Sequence, residues 1–220
     1  MKTVSLGNEL VTEDLERKHL RPSTIVTPLK SMATHPYLAI EHCEPSLSPW
    51  LLLEYKHCAK LWKHKLVFTR VTQKKTATAL RQFGRVKQEK ADTVFHGKHG
   101  IILDPQATKP LTPKECRASD VIVIGGLLGY EHPRGRTKTM ISDASRFNTR
   151  NLGTIQLSID GAAFVAKAIC LGMNLNEIEI AREIEVKHNS VHSTILPFGY
   201  PVVDNHPVIT PGLVEYLMHL

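Results

Sequence analysis

Val121, Ile122, Val123 and Ile124 run without a break into Gly125, Gly126, Leu127, Leu128 and Gly129. An apolar β-branched run that ends in a glycine turn is the pattern of a parallel strand whose carboxyl end opens onto a pocket. A basic loop, Pro133-Arg134-Gly135-Arg136-Thr137, follows. A second glycine turn, Asn151-Leu152-Gly153-Thr154-Ile155-Gln156-Leu157, then feeds Ser158-Ile159-Asp160. Strand, glycine turn and helix in this order build a small-molecule pocket, and the arginines beside it suit an anionic or acidic partner.

Other segments alternate in the same way. Tyr37–His42, Lys65–Val71 and Gly100–Leu103 read as strands. Ser48-Pro49 and Thr112-Pro113 read as helix starts, because the hydroxyl caps and proline at the first position loses no hydrogen bond. The first of these helices carries Trp50, Leu51, Leu53, Leu61 and Trp62. Lys74–Phe83 reads as a basic helix stopped by Gly84. Ser158 caps a helix with Ile159, Ala162, Ala163, Ala166 and Ile169 on one face, and Gly172 ends it. Ile178–Val186 reads as one further strand and Thr210-Pro211 as the start of a last helix. Strands alternating with helices imply an α/β fold, a mostly parallel sheet with helices on both faces. Residues 1–36 are polar, carry Pro22, Pro28 and Pro36, and read as an extension with a short helix around Leu10–Leu20 and an extended linker. The domain proper is expected at 37–220.

Composition bounds the rest. Of 220 residues, 42% are hydrophobic, and no apolar run approaches a membrane span. Neither an export signal nor a transit peptide is legible at the amino end, so a cytoplasmic location is expected. A formal charge of +7 favours encounter with polyanions such as RNA or ribosomes, although a basic surface that merely keeps the chain soluble fits the same number. Cys43, Cys58, Cys116 and Cys170 contain no Cys-x-x-Cys pair and read as reduced and buried. His42-Cys43 and His57-Cys58 fit no common zinc spacing, and no metal is expected.

Each candidate site residue has a structural alternative. Asp104-Pro105 ends a strand, where Asp104 can accept a ligand hydrogen bond or cap its own turn. Gly125, Gly126, Leu128 and Gly129 permit close backbone approach to a flat ligand, or form a turn. Their spacing is not Gly-x-Gly-x-x-Gly, and no phosphate-loop Lys follows, so a dinucleotide or triphosphate site is not expected. Arg134 and Arg136 can fork onto a carboxylate or phosphate, or face solvent. Asp160 suits the first turn of a helix electrostatically. Glu54 lies among apolar neighbours, and is either a buried, paired carboxylate or an exposed one. No Gly-x-Ser-x-Gly elbow or His-Glu-x-x-His motif is present, so neither a triad hydrolase nor a metalloprotease is supported.

Taken in order, Glu41-His42, Trp50, Leu53-Glu54-Tyr55, Leu103-Asp104-Pro105, Gly125-Gly126-Leu127-Leu128-Gly129, Pro133-Arg134-Gly135-Arg136-Thr137 and Leu152-Gly153 through Gln156, Asp160 and Ala162 carry a resemblance. The chain, over roughly Tyr37 to Tyr200, resembles a family of the SPOUT methyltransferase superfamily. It is the one with the yeast-type ribosomal-protein arginine methyltransferases and archaeal relatives described as predicted RNA methyltransferases. Tyr130, Glu131 and His132 depart from the family's Asp-His-Pro after the glycine turn, and Leu157 stands where Met is usual.

The resemblance implies a SPOUT-type domain with a C-terminal trefoil knot at about 100–172, and S-adenosylmethionine as cofactor. It places the cofactor among Leu103, Asp104, Pro105, Gly125, Gly126, Leu128, Gly129, Asn151, Leu152, Gly153, Gln156 and Leu157. Glu54, Glu41, Asp160, Arg134 and Arg136 are the catalytic candidates, with Glu131 a further carboxylate. Methyl transfer to an arginine of a ribosomal protein is the leading expectation, because a guanidinium needs carboxylates to orient it and take its proton. An RNA methyltransferase is the first alternative, favoured by the basic run Lys74, Lys75, Arg81, Arg85, Lys87 and Lys90. A non-catalytic S-adenosylmethionine-binding assembly protein is the second. The superfamily's habit of dimerising leaves monomer and homodimer both open.

Overall fold

The computed structural model describes residues 2–4, 35–129, 134–187 and 192–219. Its centre is a six-stranded sheet. In chain order its strands are β2 (Tyr37–His42), β3 (Leu66–Thr69), β4 (Arg85–Val86), β5 (Gly100–Leu103), β6 (Val121–Gly126) and β7 (Asn148–Arg150). They lie side by side as β4-β3-β2-β6-β5-β7, and every pairing is parallel. The run Val121–Ile124 sits in the interior of this sheet, buried on both faces, which is why it has no polar alternation. Its register pairs Ile40 with Ile124 and Glu41 with Gly125.

Seven helices are described. They are α1 (Pro49–Trp62), α2 (Lys74–Leu80), α3 (Ala91–Val94), α4 (Pro113–Ala118), α5 (Arg136–Met140), α6 (Ile159–Cys170) and α7 (Leu213–Met218). Two capped starts form as the sequence expects. Ser48 Oγ accepts from Leu51 N at 3.2 Å, and Thr112 and Glu115 form a reciprocal capping box. Strand period two then sorts the core. Leu38, Ile40, Ile122, Ile124, Ile101 and Leu103 face a cluster built from α1, α2, α4 and α6. Ala39, Val121, Val123 and Ile102 face a smaller cluster with Ala91 and Ile141 on the opposite side. Helices therefore cover both faces.

The carboxyl-terminal third departs from expectation. Ile178–Val186 does not form one strand. It splits into β8 (Ile180–Ala181) and β9 (Ile184–Lys187), because the chain changes sheets between them. β8 pairs with β11 (Tyr200–Val203), which also pairs with β12 (His206–Pro207). β9 lies between β10 (Ser193–Leu196) and β1 (Lys2–Val4). Within the stretch read as an extension and linker, the first residues, Lys2–Val4, join a sheet. The expected helix around Leu10–Leu20 lies outside the described residues, as do Tyr130–Pro133. Thr210 does not cap the last helix either. Gly212, at φ 82°, is its N-cap, and the Thr210 hydroxyl is used elsewhere.

Cys116 of α4 and Cys170 of α6 face each other with Cα atoms 5.1 Å apart, within reach of a disulfide, where the sequence reading has all four cysteines reduced. Cys43 and Cys58 remain thiols. No helix among the described residues is long and apolar enough to cross a membrane.

Gly126 illustrates how tightly the sheet end is packed. A Cβ there would lie 2.1 Å from Tyr55 Oη and 3.1 Å from the Glu41 carbonyl oxygen. Tyr55 is fully buried and donates to or accepts from His42 Nδ1 at 3.0 Å, so it has no room to retreat. Gly126→Ala is expected to lower unfolding stability by about 1–3 kcal/mol through this overpacking. Urea denaturation followed by tryptophan fluorescence checks it, and an unchanged midpoint would refute the packing argument.

Candidate active site

The carboxyl ends of β5 and β6, the loop before α5 and the loop before α6 surround a cleft. It holds about 980 Å³ of space with its open mouth included. Leu103, Asp104 and Pro105 form one wall, Gly125, Leu128 and Gly129 the second, and Leu152, Gly153, Gln156 and Leu157 the third. Three segments far apart in sequence thus converge on one cleft. Arg134 and Arg136 also line the cleft, beside Gln106 and Thr137.

The walls are held by backbone pairing. Asp104 N donates to the Arg150 carbonyl at 2.8 Å, and Leu111 N to the Asn151 carbonyl at 3.0 Å. These bonds tie the first wall to the third. Asn151 does not line the cleft. Its Oδ1 accepts from Gly153 N at 3.0 Å and its Nδ2 donates to the Ala107 carbonyl at 2.7 Å, so it shapes the loop that does. Gly153 takes φ 93°, a conformation a side chain would strain. Gly126 points away from the cleft, at Tyr55. Asp104 lines the cleft, but both its oxygens are engaged: Oδ1 accepts from Gln106 N at 2.9 Å and Oδ2 from Ser142 Oγ at 2.6 Å. It caps its own turn.

Glu44 was not singled out in the sequence, yet it holds the glycine wall. Its Oε1 accepts from Leu128 N at 2.9 Å and from the Arg136 guanidinium at 2.7 Å. Arg136 in turn donates to the Leu128 carbonyl at 2.8 Å. Both backbone groups of Leu128 are therefore pinned by one ion pair. Nothing in local spacing marks Glu44; only its place between His42 and Trp50 hints at it.

The three carboxylate candidates among the described residues, Glu41, Glu54 and Asp160, lie outside the cleft. Glu41 faces the smaller core, where its Oε2 accepts from Ala91 N at 2.8 Å at the start of α3. Burial raises its carboxyl above the usual range. Glu54 is wholly buried beneath the first turn of α6. Its Oε1 accepts from Trp50 Nε1 at 2.6 Å and its Oε2 from Ile159 N at 2.9 Å. Asp160 Oδ2 accepts from Thr210 Oγ1 at 2.5 Å and lies 2.7 Å from His57 Nδ1, while its Oδ1 accepts from Gly161 N at 3.0 Å. The two carboxylates thus join α1, α6 and the segment before α7, satisfying the amide groups that open α6. Sequence reasoning reached both residues but placed them in the chemistry. The structure uses them under the floor of the cleft, since Ile159 and Ala162 of α6 line it. The reason is burial, which favours paired over reactive carboxylates.

The family described as protein arginine N-methyltransferase SFM1-like matches residues 37–219. The chain belongs to this family. It is 26% identical over 197 residues to the protein arginine N-methyltransferase SFM1 of Saccharomyces cerevisiae, covering 81% of this chain and 92% of that protein. Among solved structures, the yeast arginine methyltransferase SFM1 complexed with SAM superposes with a TM-score of 0.75 at 24% identity, covering 84% of this chain and 91% of that one. The dual-specific Trm10 of Thermococcus kodakaraensis superposes with a TM-score of 0.52 at 13% identity, covering 64% and 96%. The likenesses place the fold among SPOUT-like methyltransferases, a mostly parallel sheet flanked by helices.

Among the described residues no group of His, Cys, Asp or Glu side chains is placed to hold a metal ion. Arg70 instead donates to Cys43 Sγ at 3.4 Å and to the Met140 carbonyl at 3.1 Å.

Burial, with the Asp160 carboxylate beside it, raises the Glu54 carboxyl to about 8. The folded protein therefore keeps a proton that the unfolded chain releases near an ordinary carboxylate pKa. The resulting stabilisation is full below that value and is lost as pH rises towards and through 8. Denaturation midpoints measured from pH 5 to 9 are expected to fall more steeply for the native chain than for Glu54→Gln. Parallel pH profiles would remove Glu54 from the account.

Proposed function

We propose that this chain is an S-adenosylmethionine-dependent methyltransferase that modifies an arginine of a ribosomal protein in the cytoplasm. The observation that carries it is the convergence of the three walls named from the resemblance on one cleft, within a chain that belongs to the SFM1-like family. The reading includes a trefoil knot at about 100–172 and a domain that begins at residue 37. The knot is supported by the way the segments at 103–105, 125–129 and 150–157 meet, and the boundary by the family match that begins at residue 37. The yeast relative is an arginine methyltransferase with a SAM complex, which supports the cofactor and the acceptor.

The chemistry asks little of bond-making groups. A methyl on a sulfonium is already activated, so transfer is an in-line displacement that needs alignment at roughly 3–3.5 Å and exclusion of water. The glycine-rich walls let backbone groups meet an adenine edge, and Leu128, Leu152 and Leu157 supply the apolar enclosure. S-adenosylmethionine brings the methyl group and the sulfonium leaving group when bound. Arg134 suits its carboxylate or an acidic stretch of the partner. For the guanidinium the carboxylate candidates are Glu54, Glu41, Asp160 and Glu131, of which the first three lie outside the cleft and Glu131 outside the described residues. The ribosomal partner rests on the basic balance of the chain, and RNA is the alternative acceptor.

Labelled S-adenosylmethionine incubated with this protein and ribosomes is expected to leave label that survives RNase, is lost to protease and sits in one ribosomal protein as methylarginine. Label lost to RNase would make RNA the acceptor and overturn the arginine reading. Glu44→Gln keeps an oxygen acceptor but removes the negative charge that Arg136 faces. It is expected to weaken S-adenosylmethionine about tenfold, roughly the worth of one charged hydrogen bond, with little change in kcat once the cofactor saturates. Calorimetric titration checks it; an unchanged Kd would sink the claim that this ion pair shapes the cofactor wall.

A further inference from the structure

Between Glu54 and Glu89 the chain has 34 residues, ten lysines and arginines, and no carboxylate. The rest of the chain holds 18 cations against 21 acids, so the positive balance of the whole protein originates in this one stretch. The stretch is contiguous in space as well. It forms the second half of α1, then β3, α2 and β4, and so builds one edge of the six-stranded sheet. Arg70 apart, its cations point outward: all are exposed but Lys65, which is half-buried.

Cross-contacts join three of these cations to aromatic rings of neighbouring segments. Lys56 Nζ of α1 lies 5.8 Å from the Phe83 ring, which precedes β4. Lys65 Nζ and the Arg85 guanidinium sit 4.4 and 5.0 Å from the Tyr37 ring, and Arg85 also donates to Tyr37 Oη at 3.1 Å. Tyr37 and Phe83 are both half-buried, so each keeps some ring accessible among the cations. Among the described residues, Lys60, Lys65, Arg81, Arg85 and Lys87 make no ion pair with a carboxylate. A concentration of like charge without neutralising acids works against the folded state through self-repulsion. Two or three guarding lysines would protect a short edge strand such as β4. Ten cations exceed that need and call for an external polyanion.

Three polyanions are chemically possible, and the surface selects among them. An anionic membrane wants large apolar side chains to insert beside the cations. The exposed large hydrophobic residues described are Leu171 and Ile195, neither on this edge. Protein interfaces are depleted in lysine, whereas seven of these ten cations are lysines. Phosphate backbones are bound by lysine and arginine with aromatic rings interleaved, the arrangement found here. We propose that the acid-free edge formed by α1, α2 and β4 is a docking surface for the phosphate backbone of RNA, separate from the methyl-transfer cleft. β4 and β7 are the opposite edges of the sheet, and the cleft lies over the β6-β5-β7 half. A substrate reacting in the cleft and an RNA strand held at this edge therefore do not compete for the same residues. The acceptor protein is then reached while the enzyme rests on RNA.

The test is binding of a fluorescein-labelled, mixed-sequence single-stranded RNA to the full chain, followed by anisotropy over a salt series. Log Kd should rise linearly with log salt, with a slope of about 0.7 per phosphate neutralised. Lys60→Glu, Arg81→Glu and Lys87→Glu together should weaken binding at least tenfold and lower the slope by about two. Lys109→Glu with Lys114→Glu, exposed changes outside the acid-free stretch, should leave both unchanged. If the triple reversal does not keep the native melting temperature, the neutral set Lys60→Gln, Arg81→Gln and Lys87→Gln serves in its place, with the same direction. An unchanged affinity and slope in the triple variant would overturn the proposal. So would displacement of the RNA by polyglutamate, or by phosphatidylserine vesicles, as readily as by unlabelled RNA of equal charge, since the site would then read charge alone.

Discussion

The opening of α6 is the point on which the rest of the molecule depends. A helix presents its first amide groups without intrahelical partners, and in a buried position water cannot satisfy them. Here Glu54, from the middle of α1, accepts from Ile159 N, and Asp160 accepts from Gly161 N while taking Thr210 and His57 as further partners. Two carboxylates in a core are costly unless every lone pair is used. That cost makes the arrangement specific: α1, α6 and the approach to α7 fit together in one way. The cleft floor, which includes Ile159 and Ala162, inherits its position from this buried junction.

The same logic explains why the cleft consists mostly of backbone and leucine. The sheet brings three distant turns to one rim, and side-chain polar groups at that rim are largely occupied in holding the turns. Asp104, Asn151 and Glu44 all work this way, each accepting from backbone amides of the cleft loops. A rigid rim of this kind suits a reaction in which the donor is already activated and alignment is the main demand.

Much of the sheet and its flanking helices was legible because the signals were local. Ser48-Pro49, Thr112-Pro113 and Ser158 each declare a helix start through one hydroxyl and its near neighbours. Val121–Ile124 declares a buried strand by refusing to alternate. The strand order, in which β2 pairs with β6 and β3 at once, has no local signal. Glu54 and Asp160 show the limit most clearly. Their types and positions stood out, but the choice between reactive and structural carboxylate depends on partners 50 to 105 residues away. Gly126 and Gly125 look alike in sequence, and only the ring of Tyr55 tells them apart. The split of 178–186 was hidden because alternation continues through the bend where the chain changes sheets.

The strand at Lys2–Val4 has a consequence for how the protein is handled as material. It pairs in parallel with Ile184–Val186, so β9 has neighbours on both sides. A shortened chain that begins near Tyr37 would strip one neighbour away and leave a row of unmatched amide and carbonyl groups along β9. Such a row templates pairing with another chain. The strand at Lys2–Val4 is thus a built-in seam cover, and removing it invites edge-to-edge association.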